Sequence, residues 1–253
     1  VSPNDHVNCG QSSNDVIPTA INLSAHVGMK HHLLPALKSL INTIEEKAKK
    51  VEGITKTGRT HLMDAMPIDM SQELMAWSSQ LRTSQKYLSA VTDQLLALPQ
   101  GGTAVGTGIN APPRFSREFA KEVSKIEKIK ARPSENFFHS LSSQDTSLRL
   151  SGEMRNLATV LMKISNDLRW MNSGPLSGLG EIELQALQPG SSIMPGKVNP
   201  VIPEAVTMVC AEVIGNDTTV AIAAQSGNFQ LNVMLPVIAY NLLKSLNILS
   251  NAM

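Results

Sequence analysis

Apolar residues recur at alternating steps of three and four along five stretches of the chain. The clearest reads Leu74, Trp77, Leu81, Ser84, Leu88, Val91, Leu95, Leu98, a single heptad-like seam that predicts one long helix. Two further helices are predicted by Leu33, Leu37, Leu40, Ile44, Ala48, Val51 and by Met154, Leu157, Leu161, Ile164, Leu168. A fourth is expected over about 203–220, where Pro203 suits a first-turn position, and a fifth over about 233–249, with Ile238, Leu242, Ser245 and Leu249 on one face. Strand-like alternation is nearly absent. Long seamed helices joined by Gly- and Pro-rich loops predict an all-α, up-and-down helix bundle, with seams long enough to continue into a partner subunit.

Four polar segments punctuate the helices, at 2–18, 55–67, 101–113 and 173–200, and chemistry is expected there. The charged stretches at 45–50 and 121–132 read instead as solvated helix faces.

Composition narrows the classes. The 253 residues suffice for one large domain or two small ones and a sizeable core. Lys and Arg number 22 against 21 for Asp and Glu, which leaves no electrostatic footprint for nucleic acid or an anionic membrane, so any anion site must be local. Two cysteines, Cys9 and Cys210, lack metal-ligand spacing and fit a reducing compartment, with no metal site expected. No long uncharged apolar run and no signal-type amino terminus is seen, so a soluble, unexported chain is expected. The dense polar start VSPND and the end ILSNAM, just past an apolar helix, suggest a piece of something longer.

The segment GSSIMPGKVNP at 190–200 carries the sharpest chemical signal. Gly190, Pro195, Gly196 and Pro200 break regular structure, which frees the N–H groups of Ser191 and Ser192 to face a ligand, and Lys197 adds a positive charge beside Asn199. Such a loop suits a reaction in which negative charge develops on an oxygen. An ordinary turn explains its glycines and prolines but not Ser191, Lys197 and Asn199. The first segment, SPNDHVNCGQSSND, offers Ser12, Ser13 and Asn14 for ligand binding. Asp5 and Asp15 read as structural, and Ser13 or Asp15 could cap a helix beginning near Pro18. The second places His61 after Gly58, Arg59 and Thr60, where it can be oriented and can titrate near neutrality; Arg59 and Asp64 could form a structural ion pair. The third, QGGTAVGTGIN, fits neither a dinucleotide fingerprint nor a P-loop and reads as tight turns, with Thr103, Thr107 and Asn110 as polar contacts.

Together SSND at 12–15, GRTH at 58–61, GGTAVGTGIN at 101–110, GSSIMPGKVNP at 190–200 and SGNFQLNV at 226–233 resemble the class II fumarases of the fumarase/aspartase superfamily. The 190–200 loop marks the whole superfamily; the flanking RWMNSGPLSGLGEIELQALQPG and EAVTMVC, and SSND rather than STND, lean toward fumarases. The resemblance implies cofactor-free, reversible hydration of fumarate to L-malate through an aci-carboxylate, and a place in the tricarboxylic acid cycle. It implies Ser191 as the base taking the carbon-bound proton, His61 paired with Glu204 at the departing hydroxyl or incoming water, and Ser12, Ser13, Asn14, Thr60, Lys197 and Asn199 as dicarboxylate contacts. A second dicarboxylate site would use Asn4 and Asp5, with Ser2 where relatives often carry histidine.

The resemblance further implies a homotetramer whose sites are each shared by three chains, without nucleic acid or membrane partners, in the cytoplasm or, in a eukaryote, the mitochondrial matrix. Residues 1–253 correspond to the family's central helical domain. The amino-terminal domain, with its Ser-Gly-Thr substrate loop, and the small carboxy-terminal domain are absent, so the piece alone is expected to assemble but turn over fumarate poorly. The alternatives are an ammonia-lyase acting on aspartate or an argininosuccinate-type substrate and, in another class, a catalytically silent helical scaffold. The scaffold predicts loss of Ser191, His61 or Lys197, and all three are present.

Overall fold

The seam on the third long helix is buried as its spacing requires: Leu74, Trp77, Leu81, Leu88 and Val91 of α3 (Met70–Gln94) face the core together with Ser78 and Ser84, while Ser79, Gln80, Arg82, Thr83 and Lys86 face out. The computed structural model describes residues 1–188 and 190–253; Pro189, within the LQPG phrase, lies outside the described residues. The chain runs through a π-helical turn (Pro3–Val7), α1 (Ser13–Gly28), a second π-helical turn (Met29–Leu33) and α2 (Leu34–Lys50). A hairpin of β1 (Thr55–Thr60) and β2 (Met63–Asp69) then leads into α3. Beyond α3 come β3 (Ala97–Leu98), α4 (Phe115–Glu127), β4 (Arg132–Pro133), α5 (Phe137–Ser142) and α6 (Asp145–Met171). After the long loop follow α7 (Val201–Ala224), the short hairpin β5 (Gly227–Asn228) and β6 (Leu231–Asn232), and α8 (Leu235–Ala252). The all-α bundle is the architecture that the seams predict.

Helices α2, α3, α6, α7 and α8 pack around one aliphatic core that includes Leu37, Leu81, Leu88, Leu157, Val213 and Leu242. Each fully buried leucine contributes about 2 kcal/mol against exposure. Three polar contacts set register within this uniform surface. Buried Asp217 of α7 accepts from Ser151 Oγ (2.7 Å) and Arg155 Nη1 (2.8 Å) of α6, and Asn216 Nδ2 donates to Ser245 Oγ of α8 (3.0 Å). At Gly28 a side chain would meet Leu246, its Cβ 2.8 Å from Cδ2, so glycine lets α1 lie close against α8.

The helices alternate in direction. Arg149 Nη1 bonds Gln94 Oε1 (3.0 Å) where α6 begins and α3 ends, while Lys163 stands 5.8 Å above the Trp77 ring near the opposite ends of both. Asp217, late in α7, meets the first half of α6, and Lys244 pairs with Glu212. The bundle therefore has two ends: one holds the starts of α3 and α7 and the end of α6, and the other holds their opposite termini. At 1.5 Å per residue they lie about 37 Å apart along α3.

Four local expectations need correction. Residues 55–67 are not a loop but part of the antiparallel hairpin; β1 is mostly half-buried and β2 mostly exposed, so no apolar alternation announced them. Helix α1 begins at Ser13 rather than near Pro18, because Ser12 and Asp15 form a capping box that outweighs the bond lost at Pro18. Helix α3 stops at Gln94, with Leu95 and Leu98 buried beyond it. The 121–132 stretch is helical only to Glu127, where Lys128 turns left-handed (φ 52°) and Arg132 enters β4 beside β3.

Helix α7 is apolar on more than its packed side. Its mean hydropathy (1.3 over an 18-residue window) and length would suffice to cross a membrane, yet it carries Glu204, Glu212 and the buried Asp217. Ile202, Met208 and Ile222 are each more than half exposed.

Candidate active site

His61 sits at the tip of the β1–β2 hairpin. Thr60 pairs with Met63, so His61 and Leu62 form a two-residue turn, both with positive φ (54° and 60°). That geometry matches the twist of a hairpin but is strained for residues with side chains, and it lifts His61 and Thr60 into exposed positions. A register shift between Thr57 and Arg59 marks a bulge at Gly58, where a Cβ would lie 2.6 Å from the Met66 carbonyl oxygen. The carboxylate of Asp69 caps α3 through the Ser71 N–H (2.8 Å), which joins the hairpin directly to the bundle.

Four charged side chains lie beneath the hairpin. Arg59 Nη1 donates to Glu181 Oε1 (2.6 Å), Lys56 Nζ faces Glu181 Oε2 (3.1 Å), and Lys56 also pairs with Glu73 at the start of α3. Arg59 Nε is 3.7 Å from Asp64, which realises the ion pair expected from sequence. Burial is the largest influence on both Lys56 and Glu181 and opposes their charges, but their oppositely charged neighbours outweigh it, so Lys56 is raised and Glu181 lowered. The hydrogen bond to Glu181 raises Arg59. A cavity of about 510 Å³ opens beside this cluster, lined among others by Thr57, Pro67 and Leu179. Sequence reading missed Lys56, Glu73 and Glu181, and no local pattern marks them, since Glu181 lies 122 residues from Arg59.

The 190–200 segment folds on itself. Lys197 N–H donates to the Met194 carbonyl (3.1 Å) across Pro195 and Gly196, the latter at φ 81°, which is the signature of a type II turn. A side chain at Gly190 would collide with the Lys197 carbonyl, so glycine closes the loop. Ser191 Oγ accepts from the Ile193 N–H (3.3 Å), while the N–H groups of Ser191 and Ser192 bond to no described residue. Exposed Lys197 and half-buried Asn199 lie on the same loop. Glu204 lies in the first turn of α7, where the helix dipole favours a carboxylate.

The first segment is built differently. Ser12 is the N-cap of α1, its Oγ accepting from the Asn14 N–H (3.1 Å), and Asn14 Nδ2 donates to the Ala104 carbonyl (2.8 Å). Ser13 is exposed. Asp15, wholly buried, accepts from Ser12, Gly101 and Thr103 N–H groups, the structural role expected of it. Asn4 and Asp5 lie in the π-helical turn, with Ser2 as its cap: Ser2 Oγ donates to Asp5 Oδ2 (2.9 Å).

These residues divide between the two ends of the bundle. Thr60 and His61 belong to the hairpin that leads into α3, and Ser191, Lys197, Asn199 and Glu204 to the loop and first turn that open α7, at the end where these helices begin, whereas Ser12, Ser13 and Asn14 lie at the other, next to the loop that follows α3. Among the described residues no hydrogen bond or ion pair joins His61 to Ser191, Lys197 or Glu204, and no group of three or more His, Cys, Asp or Glu side chains could hold a metal.

A family model described as Lyase matches residues 1–215. A relative named fumarate hydratase class II 2, from Pseudomonas aeruginosa, is 60% identical over 251 residues, or 99% of this chain and 55% of the relative. The fumarate hydratase class II of Bacillus subtilis is 49% identical over 253 residues, all of this chain and 54% of that protein. The chain thus spans about half the length of the curated relatives it matches. The crystal structure of a recombinant class II fumarase from Schistosoma mansoni superposes with a TM-score of 0.98 at 41% identity, over 100% of this chain and 56% of that one. A fumarate lyase:delta crystallin from Brucella melitensis in native form matches with a TM-score of 0.91 at 42% identity, again over 100% of this chain and 56% of its own.

Proposed function

The chain belongs to the lyase family, and from that membership we propose that the protein of which it forms the central helical domain is a class II fumarate hydratase. The reaction adds water across the double bond of fumarate to give L-malate and, in reverse, removes a proton and a hydroxyl from opposite faces. It changes no net oxidation level, so no redox group enters.

Loss of a proton from carbon beside a carboxylate loads that carboxylate with a second negative charge, an aci-carboxylate, so donors and cations must already face its oxygens. Lys197, Asn199 and the N–H groups of Ser191 and Ser192, which bond to no described residue, supply them. Ser191 takes the carbon-bound proton, its alkoxide stabilised by the same donors, and His61, with Glu204, handles the proton at the departing hydroxyl or incoming water. Ser12, Ser13, Asn14 and Thr60 hold the substrate carboxylates, and Asn4 and Asp5 form a secondary dicarboxylate site.

The observation that carries the reading is the likeness in fold to a class II fumarase at a TM-score of 0.98 and 41% identity, in a chain that carries Ser191, His61 and Lys197. The division of these residues between bundle ends about 37 Å apart along α3, a span that no dicarboxylate bridges, supports a homotetramer with shared sites. The exposed apolar residues Ile202, Met208 and Ile222 of α7 give the tetramer its contact surface, covered by further copies rather than lipid. A cytoplasmic place, or the mitochondrial matrix in a eukaryote, accords with this.

The test is turnover by the full-length protein, read by the ultraviolet absorbance of the fumarate double bond, with L-malate and L-aspartate offered side by side. Malate should be dehydrated and aspartate left intact, and Ser191→Ala should lower turnover about a hundredfold or more. Consumption of aspartate alone would make the protein an ammonia-lyase, and inertness toward both would reject the hydratase reading in favour of an argininosuccinate-type lyase or a scaffold.

A further inference from the structure

The hairpin that presents His61 has little apolar anchorage of its own. Most of β2 is exposed, and half-buried Ile68 is its main inward-facing apolar residue. Its attitude is instead fixed by Lys56 and Arg59, both of which reach one carboxylate, Glu181. Glu181 is itself held firmly: its N–H donates to the Met171 carbonyl (2.8 Å) at the end of α6, and Leu184 N–H donates to Asn172 Oδ1 (2.8 Å) just beyond it. Each Glu181 oxygen faces a different hairpin cation, Oε1 taking the Arg59 hydrogen bond and Oε2 pairing with Lys56 by charge. The side chains of Lys56, Arg59 and Glu181 are 9%, 19% and 13% exposed, so water screens the contacts little. Two cations face Glu181 and Glu73, which leaves the four balanced and without a call on an outside ion.

We propose that Glu181 is a positioning residue for His61, acting through Arg59 two residues before it. The carboxylate transmits the place of α6 to the hairpin, and the strained turn at His61 and Leu62 then holds the imidazole at a fixed height and angle over the bundle end. The inference rests on the hydratase reading for its activity arm, but not for its structural one.

The test uses the full-length protein in its native assembly, with Glu181→Gln and, as a second route should that variant not fold, Arg59→Lys, which keeps the charge but loses the guanidinium fork. Either change should lower kcat about tenfold with KM changed less than about twofold, and Glu181→Asp should recover part of the loss. In a His61→Asn background the same changes should cost little further, because the group they position is gone. Amide hydrogen exchange over residues 55–69 should quicken in Glu181→Gln and Arg59→Lys whatever the substrate. Unchanged kcat, a full additional loss in the His61→Asn background or unchanged exchange would each overturn the proposal. An unsubstituted protein that leaves fumarate and malate untouched would reject the hydratase reading, while the exchange measurement would still decide whether Glu181 fixes the hairpin.

Discussion

The carboxylate of Asp15 accepts the backbone N–H of Thr103 at 2.9 Å, and with it that of Gly101 at 3.0 Å, although 86 or more residues separate the partners. This wholly buried contact ties the start of α1, with Ser12 to Asn14, to the loop after α3. Asp15→Ala leaves two buried N–H groups without acceptors and also removes the capping box, so it should cost about 2–4 kcal/mol, measured by urea unfolding. A loss below about 0.5 kcal/mol, the scale of an ordinary surface change, would contradict that role.

A second contact fixes α2 to α3 and gives stability a definite pH dependence. Arg82 grips Glu45 through two hydrogen bonds of 2.7 Å, and these, with a third from Ser78, hold the Glu45 carboxyl at about 2. A depressed folded value stabilises above the unfolded value, roughly 4.3, and the benefit fades as pH falls toward the folded one. The advantage of the unsubstituted chain over Glu45→Gln should therefore be level above about pH 5 and shrink between about pH 4 and 2. Denaturant midpoints of the two proteins across this range check the sign.

The apolar surface of α7 predicts an assembly defect without a folding defect. Met208→Glu together with Ile222→Glu places charge on exposed positions of one chain, which costs the isolated fold little but opposes a covered interface. Sedimentation velocity should show smaller species while helical circular dichroism stays unchanged.

The loop at 190–200 makes the opposite kind of prediction. Gly190→Ala drives a methyl group into the Lys197 carbonyl and must open the turn, yet the loop is largely exposed and contributes little to the core. Turnover should fall about tenfold or more while the thermal midpoint moves by no more than about 2 °C.

The helices were legible because each long one buries a single seam, and Leu74 to Val91 mark α3 without tertiary information. The loop carrying Ser191 was equally plain, since its prolines and glycines exclude regular structure and Pro195-Gly196 matches the turn it makes. The β1–β2 hairpin was hidden because β2 is mostly exposed, so alternation had nothing to record. Pro18 suggested too late a start for α1, where the reciprocal caps of Ser12 and Asp15 prevail. Glu181 was beyond reach because its meaning lies in Lys56 and Arg59, brought to it only by the antiparallel course of α3 and α6. The division of Ser12 from Ser191 between opposite ends is likewise a property of topology.

That division makes the central claim testable by mixing subunits of the full-length protein. Ser191→Ala and Asn14→Ala should each be nearly inactive alone, but co-refolded as hybrids they should regain fumarate hydration, because some shared sites then receive Ser191 from one chain and Asn14 from another. Hybrids confirmed by mass that stay as inactive as their parents would contradict sites shared between chains.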